Sequence, residues 1–145
     1  MTHALPLCVI GAGSIGMRHV EVAQASPLIA LTAVVEADAA RRAELRAQGL
    51  PVVAHPDDIP KTTKAAVIAT PTGAHHQTAV EIIAQGLAVI VEKPLAATVA
   101  EGRAVIAAAQ RAGVPLLTGH HRRCHPFAIK ARQLLSDLGD LVGVQ

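Results

Sequence analysis

The stretch Gly11-Ala12-Gly13-Ser14-Ile15-Gly16 decides the fold, because it joins an apolar run to an Ala-rich segment. The pattern predicts a buried strand before it and a helix after it. In such a strand–turn–helix unit, the first glycine permits a tight turn and the second lets a pyrophosphate approach the backbone. The third glycine lets helix and strand pack closely, and the helix start offers unpaired N–H groups to an anion. We therefore expect a diphosphate-binding turn here.

Short apolar runs alternate with longer Ala-rich segments along the rest of the chain. Apolar runs without polar alternation are typical of strands that are buried on both faces of a parallel sheet. The predicted strands are Leu5–Ile10, Leu28–Val35, a weaker one at Pro51–Ala54, Ala65–Ala69, Leu87–Val91 and Val114–Leu117. The predicted helices are Ser14–Ala25, Ala39–Gln48, Ala74–Gln85, Thr98–Ala112 and about Pro126–Leu138. This βαβα order predicts a Rossmann-type, doubly wound α/β fold, with a mostly parallel sheet and helices on both faces.

Length and composition exclude several classes of protein. The chain has 145 residues, of which 51% are hydrophobic and 17% are charged, which fits one domain with a true core and excludes disorder. A formal charge of +2 and a single Phe argue against nucleic acid as a partner. Two cysteines cannot form a disulfide framework, and neither a signal peptide nor a membrane-spanning run is apparent. We expect a soluble, cytoplasmic protein with no membrane partner.

A carboxylate follows the second predicted strand. Glu36 lies 20 positions after Gly16, where it can accept hydrogen bonds from an adenosine ribose and would repel a 2′-phosphate. The spacing favours NAD, although Arg41 and Arg42 could attract the 2′-phosphate of NADP. Glu36 could also simply end a strand, and S-adenosylmethionine methyltransferases combine a glycine-rich turn with an acid at this place. These two features alone therefore do not decide the chemistry.

Further motifs follow the later strands, whose carboxyl ends should face the same crevice as the glycine turn. Together with that turn, they resemble the glucose-fructose oxidoreductase, inositol 2-dehydrogenase and rhizopine-catabolism (Gfo/Idh/MocA) family over essentially the whole chain. The matching elements, in family order, are Thr-Pro…His (Thr70, Pro71, His75), Glu-Lys-Pro (Glu92, Lys93, Pro94) and Gly…Arg-x-x-Pro (Gly119, Arg123, Pro126). Thr72 departs from the pattern, since many members carry Asn there.

The resemblance implies an NAD(P)-dependent oxidoreductase that acts on a hydroxyl-bearing carbon of a sugar, cyclitol or related polyol. It makes Lys93 the catalytic residue, since an ammonium there can stabilise negative charge developing on the substrate oxygen. It also suggests a cis bond before Pro94. Glu92 would orient Lys93 or meet the nicotinamide ribose, or it could equally be a solvated acid at a strand end. The expected cofactor-binding residues are Gly11, Gly13, Ser14, Ile15 and Gly16 at the pyrophosphate, Glu36 at the adenosine ribose, and Thr70, Pro71, Thr72, His75, Glu92 and Lys93 towards the nicotinamide. Arg123 is expected near oxygens of the cofactor or substrate, with a solvated helix start as the alternative.

The histidines support fewer predictions. His75 is expected to cap a helix that begins near Gly73 and to lie close to the pyrophosphate or the nicotinamide ribose, as the resemblance implies. His19 shows no functional pattern and is expected to be a surface or partly packed residue. The His/Cys segment 119–126 is an unfavourable metal site, because its histidines are interspersed with two arginines. We therefore expect no metal.

The pattern divides the chain into a dinucleotide-binding domain at 1–138 and, at 139–145, the start of a truncated C-terminal substrate domain. Members of the resembled family carry that further domain and usually associate through its sheet, so a homo-oligomer is compatible with the sequence. We expect the chain to bind its cofactor but to be inactive without the further domain. The alternative is a stand-alone dinucleotide-binding or redox-sensing module without catalysis.

Overall fold

The computed structural model describes residues 4–137 and 139, and its centre is a parallel β-sheet. The strands are β1 (Leu5–Ile10), β2 (Ile29–Val35), β3 (Val52–Val53), β4 (Ala65–Ile68), β5 (Ala88–Val91) and β6 (Leu116–Thr118). They lie in the order β3-β2-β1-β4-β5-β6, and all neighbours pair in parallel. The strand order reverses between β1 and β4, which places a crevice at the carboxyl ends of these two strands.

Helices cover both faces of the sheet, which confirms the predicted Rossmann-type fold. The helices are α1 (Ser14–Ala25), α2 (Ala39–Ala47), α3 (Thr72–Ala84), α4 (Val99–Ala112) and α5 (Pro126–Leu134). Short 3-10 turns lie at Pro56–Asp58, His121–Cys124 and Leu135–Asp137. Within the described ranges, no helix is both long and apolar enough to cross a membrane.

The absence of polar alternation in the strands is explained by two apolar layers. Along β1, Leu7 and Val9 face the layer that contains α1 and α2, whereas Cys8 and Ile10 face the layer that contains α3 and α4. All four side chains are at most 6% exposed. Because both faces of the strand are covered, each position favours an apolar residue. The Cys8 thiol lies so deep that burial raises its pKa to about 12.

Several predicted boundaries are shifted, each for a local reason. Helix α3 begins at Thr72 rather than Ala74, because Pro71 already occupies the N-cap position. Strand β6 begins at Leu116 rather than Val114, since the Val114 N–H donates to Ala109 O and closes α4, and Pro115 has no N–H. The predicted end of the last helix at Leu138 and nearly all of the tail 139–145 lie outside the described residues.

Candidate functional site

The turn between β1 and α1 can only be built with glycine at two positions. Gly11 has a φ of +92°, and a Cβ added to it would lie 2.8 Å from the carbonyl oxygen of Ala69. A Cβ on Gly16 would overlap the carbonyl oxygen of Gly11 itself. These close approaches let α1 begin directly at the end of β1, beside the start of the β4–α3 loop. The predicted roles of Gly11 and Gly16 in the turn and in packing are thus confirmed.

Gly13 meets a different environment, because a Cβ added there would contact nothing within 4 Å. Gly13 is the N-cap residue of α1 and has an ordinary extended backbone, with φ −70° and ψ −175°. No side chain caps this helix start, and the first turn contains no acidic residue. The backbone N–H groups of the first turn are therefore left for a ligand or for water, and the space beside Gly13 is open for an anion.

A large cavity of about 720 Å³ opens in front of this turn. Its volume lies in the usual range for small-molecule sites. It is lined by the glycine turn (10–15), the end of β2 (35–37), the segment after β3 (54–56), the start of the β4–α3 loop (69–71) and, on α3, Gln77, Thr78 and Glu81. Sequence analysis did not identify His55, Pro56 or the three α3 residues. Two signals in the sequence could have indicated these lining residues. His55 and Pro56 follow β3, and Gln77 and Glu81 are four positions apart on one helix.

Glu36 is fixed at the rim of the large cavity by two backbone N–H groups. Ala12 N donates to Glu36 Oε2 at 3.0 Å, and Asp38 N donates to Oε1 at 2.9 Å. Each carboxylate oxygen can accept a further hydrogen bond, so both remain able to accept from a diol. The carboxylate thus connects the end of β2 directly to the glycine turn.

The two arginines near Glu36 make bonds of their own. Arg42 donates through Nη1 to the carbonyl oxygens of Glu36 and Ala37, at 3.0 and 2.6 Å. Arg41 forms an ion pair with Glu44 at 2.8 Å. Neither arginine lines the large cavity. Of these three charged side chains, only the Glu36 carboxylate lines the large cavity.

A small cavity of about 160 Å³ adjoins the large one, with which it shares four lining residues, and it brings together most residues of the Thr-Pro…His and Glu-Lys-Pro elements. It is lined by Ile15, Ala69, Thr70, Pro71, Thr72, His75, Glu92 and Lys93. The peptide bond between Lys93 and Pro94 is cis, as the family resemblance suggests. The Thr70 hydroxyl is buried here without a hydrogen-bond partner. An unpaired polar atom of this kind is costly, which fits a wall that receives a polar ligand.

His75 joins the two loops of the small cavity. Its side chain is 1% exposed, with Nδ1 2.8 Å from Pro94 O and Nε2 2.9 Å from Thr70 O. The expected helix cap is wrong, because Pro71 is the N-cap and both ring nitrogens face carbonyl oxygens rather than helix N–H groups. The imidazole instead holds the β4–α3 and β5–α4 loops together. Its contact with a cofactor remains a prediction.

Glu92 lies behind Lys93 and has an unexpected partner on α1. His19 Nε2 lies 2.9 Å from Glu92 Oε1, and the two side chains are 31% and 13% exposed. Burial alone would raise the pKa of Glu92, but the hydrogen bonds with His19 and the Lys93 N–H, helped by the charges of both residues, lower it. The carboxylate is therefore ionised at neutral pH. The only indication in the sequence was that His19 follows Ile15 by one helical turn.

The remaining predicted residues are less closely associated with the cavities. Arg123 is exposed on the 3-10 turn His121–Cys124 and lines neither cavity, so its contact with a ligand remains a prediction. In residues 4–137 and 139, no group of three or more His, Cys, Asp or Glu side chains could hold a metal ion. The candidate site is therefore the pair of adjoining cavities along the carboxyl ends of the strands.

Comparison with known proteins identifies the family of this chain and several relatives. The family model described as "Oxidoreductase family, NAD-binding Rossmann fold" (Gfo/Idh/MocA) matches residues 6–120. The rhizopine catabolism protein MocA of Rhizobium meliloti is 34% identical over 134 residues, which cover 91% of this chain and 41% of that protein. UDP-N-acetylglucosamine 3-dehydrogenase of Acidithiobacillus ferrooxidans is 33% identical over 129 residues, covering 86% of this chain and 40% of the relative.

A solved structure supports the same relationship. The crystal structure of GenD2 from gentamicin A biosynthesis, in complex with NAD, superposes with a TM-score of 0.89 at 33% sequence identity. The match covers 100% of this chain and 42% of GenD2. The chain thus spans about two-fifths of the length of these relatives. On the family match and the shared fold, it belongs to the Gfo/Idh/MocA family of oxidoreductases and corresponds to their NAD-binding Rossmann domain.

Proposed function

We propose that the chain is the cofactor-binding part of a dehydrogenase that oxidises a hydroxyl-bearing carbon of a sugar, cyclitol or related polyol, or reduces the corresponding carbonyl. The observation that carries the proposal is that the two cavities adjoin, since Ile15, Ala69, Thr70 and Pro71 line both. One contains the open helix start at Gly13, and the other contains Lys93, so a dinucleotide held at the first would extend towards the second. The relatives named for rhizopine catabolism and for a nucleotide-sugar dehydrogenase support this substrate class.

The residues around the large cavity fit a dinucleotide. The backbone N–H groups at 13–15 would hold the diphosphate, because the space beside Gly13 is open and no side chain caps the helix. Glu36 would accept hydrogen bonds from the adenosine ribose with its remaining lone pairs. When bound, the nicotinamide ring supplies the acceptor or donor for hydride. Thr70 and Thr72 would line the wall against which that ring lies.

Lys93 is the residue of the small cavity best suited to act on a substrate. Its ammonium would donate a hydrogen bond to the substrate hydroxyl oxygen and stabilise the negative charge that develops there. Lys93 lies two residues after β5, and its backbone N–H donates to Glu92 Oε2 at 3.2 Å, so its backbone is held close to the end of the strand. A lysine at the open end of a buried strand can be both anchored and accessible to substrate.

NAD is the favoured cofactor for electrostatic reasons. The Glu36 carboxylate lies at the rim of the large cavity, where a 2′-phosphate would be repelled. The nearby cations that could offset this repulsion are engaged, since Arg41 pairs with Glu44 and Arg42 donates to two carbonyl oxygens.

Substrate selection belongs, in this proposal, to the three-fifths of the relatives' length that this chain does not match. The shared part would then bind NAD and present Lys93, but would not turn over a polyol on its own. The second candidate is a module that binds dinucleotide without catalysis. The two candidates differ in whether a longer form of the protein oxidises a polyol with NAD.

Filling the space beside Gly13 tests the diphosphate site. Gly13→Val should weaken NAD binding at least about tenfold, or about 1.4 kcal/mol, because the side chain occupies the space of the anion. The unfolding free energy should change by less than about 1 kcal/mol, since the backbone there is ordinary and only cap preference is lost. Calorimetric titration measures the first quantity and urea denaturation the second. Gly73→Val, where an added Cβ also meets nothing, is the matched control, and equal NAD affinity in both variants contradicts the site.

Removing the charge of Glu36 tests the choice of cofactor. The unmodified chain should bind NAD more tightly than NADP, and Glu36→Gln should reduce that preference about tenfold, because the amide no longer repels the 2′-phosphate. The glutamine oxygen can still accept from one of the two N–H groups that hold the carboxylate. Dissociation constants for both dinucleotides give the ratio. Tighter binding of NADP by the unmodified chain would refute the assigned role of Glu36.

Replacing Lys93 separates binding from catalysis. Lys93→Met should leave NAD affinity within about threefold, since the ammonium acts on the substrate rather than on the diphosphate. In a form extended by the relatives' remaining length, polyol-dependent reduction of NAD should fall by about 10³-fold or more, the range for loss of a group that stabilises a developing oxyanion. Absorbance at the NADH band follows the reaction. Undiminished turnover would refute the catalytic role assigned to Lys93.

A further inference from the structure

We infer that His19 is a positioning residue for the nicotinamide half of the cofactor. It would act by holding the Glu92 carboxylate that forms one wall of the small cavity beside Lys93. This inference rests on the proposed function, because it assumes that the small cavity receives the nicotinamide end of a dinucleotide. It assigns a role to a side chain of α1 that lies outside the glycine turn.

The two oxygens of Glu92 are divided between two elements. Oε1 lies 2.9 Å from His19 Nε2 on α1, and Oε2 accepts from the Lys93 N–H at 3.2 Å. The Glu92 backbone is fixed as well, since its N–H donates to Ile68 O at 2.9 Å. A carboxylate that merely ended a strand would rotate in solvent, whereas this one is 13% exposed and bonded on both sides.

A third element closes around the same carboxylate. The Gly119 N–H donates to Val91 O at 2.8 Å, which brings the residue after β6 against Glu92. A Cβ on Gly119 would lie 2.9 Å from Oε1 and 3.0 Å from the carboxyl carbon of Glu92. The absence of a side chain at Gly119 thus makes room for the carboxylate in the position where it meets His19. Elements distant in the sequence converge on one ionised group.

A purely structural role explains this arrangement less well. Helix α1 already packs on the sheet through the buried residues Val20 and Ala23, so it does not need a polar link to stay in place. The link instead joins the two halves of the proposed site. His19 follows Ile15, which lines both cavities, by one helical turn, and Glu92 directly precedes Lys93. The orientation of the small cavity is thereby tied to the helix that would hold the diphosphate.

The experiment compares two ligands that differ only in the nicotinamide end. NADH contains it, and ADP lacks both the ring and its ribose while retaining the diphosphate and adenosine. His19→Ala should weaken NADH binding about five- to tenfold, which corresponds to the loss of a partly exposed charge-assisted hydrogen bond. ADP binding should stay within about twofold. His19→Gln, which keeps an N–H donor, should recover most of the NADH affinity, and His76→Ala on α3 is the matched histidine control.

Two further variants keep the test decisive if His19→Ala is unstable. Gly119→Ala should displace the Glu92 carboxylate and reproduce the selective loss of NADH affinity from the opposite side. In a Glu92→Gln background, His19→Ala should cause little further loss of NADH affinity, because both residues act through one contact.

Three outcomes would overturn the inference. The first is an equal loss of affinity for both ligands in His19→Ala. The second is unchanged NADH affinity in the His19 and Gly119 variants. The third is full additivity of the affinity losses caused by His19→Ala and Glu92→Gln. Binding of neither ligand by the unmodified chain would instead refute the proposed function itself. That result is distinguishable, because it would appear before any variant is compared.

Discussion

The structure depends on close backbone contacts where β1 turns into α1, and these contacts leave no room for a side chain at Gly11 or Gly16. The carbonyl oxygens of Gly11 and Ala69 lie where side chains on Gly16 and Gly11 would have to be. Because those side chains are absent, the helix can begin directly at the end of the central strand and against the β4–α3 loop. Its N–H groups then face the crevice that the reversal of strand order creates. These two close approaches place the start of α1 beside the crevice in which the candidate site lies.

The small cavity is shaped by polar contacts between segments that are far apart in the sequence. His75 spans two carbonyl oxygens and holds the loops after β4 and β5 together. Glu92 and His19, which are 73 residues apart, join the end of β5 to α1. Each of these groups is partly or fully removed from water, so leaving it unpaired would be costly. The polar network therefore fixes Lys93 and its surroundings without using the apolar core.

Sequence patterns could predict those features that local physics controls. Unbroken apolar runs indicated strands covered on both faces, and the glycine turn indicated where a helix start meets the crevice. The predicted element boundaries were wrong where a backbone group forms a different hydrogen bond. The Val114 N–H, for example, donates to Ala109 O at the end of α4 instead of pairing in β6. For the same reason, the predicted helix cap at His75 was wrong and the contact between His19 and Glu92 was not predicted. A side chain's partner across the sheet depends on the strand order and the helix orientation, which no local spacing specifies.

Backbone amide resonances offer the most direct measurement of the central claim, that free N–H groups at the start of α1 hold a diphosphate. A ¹⁵N-labelled chain titrated with NAD should show its largest saturable shifts at the amides of Gly13, Ser14 and Ile15. Adenosine, which lacks the diphosphate, should leave those three signals nearly unchanged. Saturable binding of NAD that perturbs other regions and leaves these amides unmoved would contradict the account.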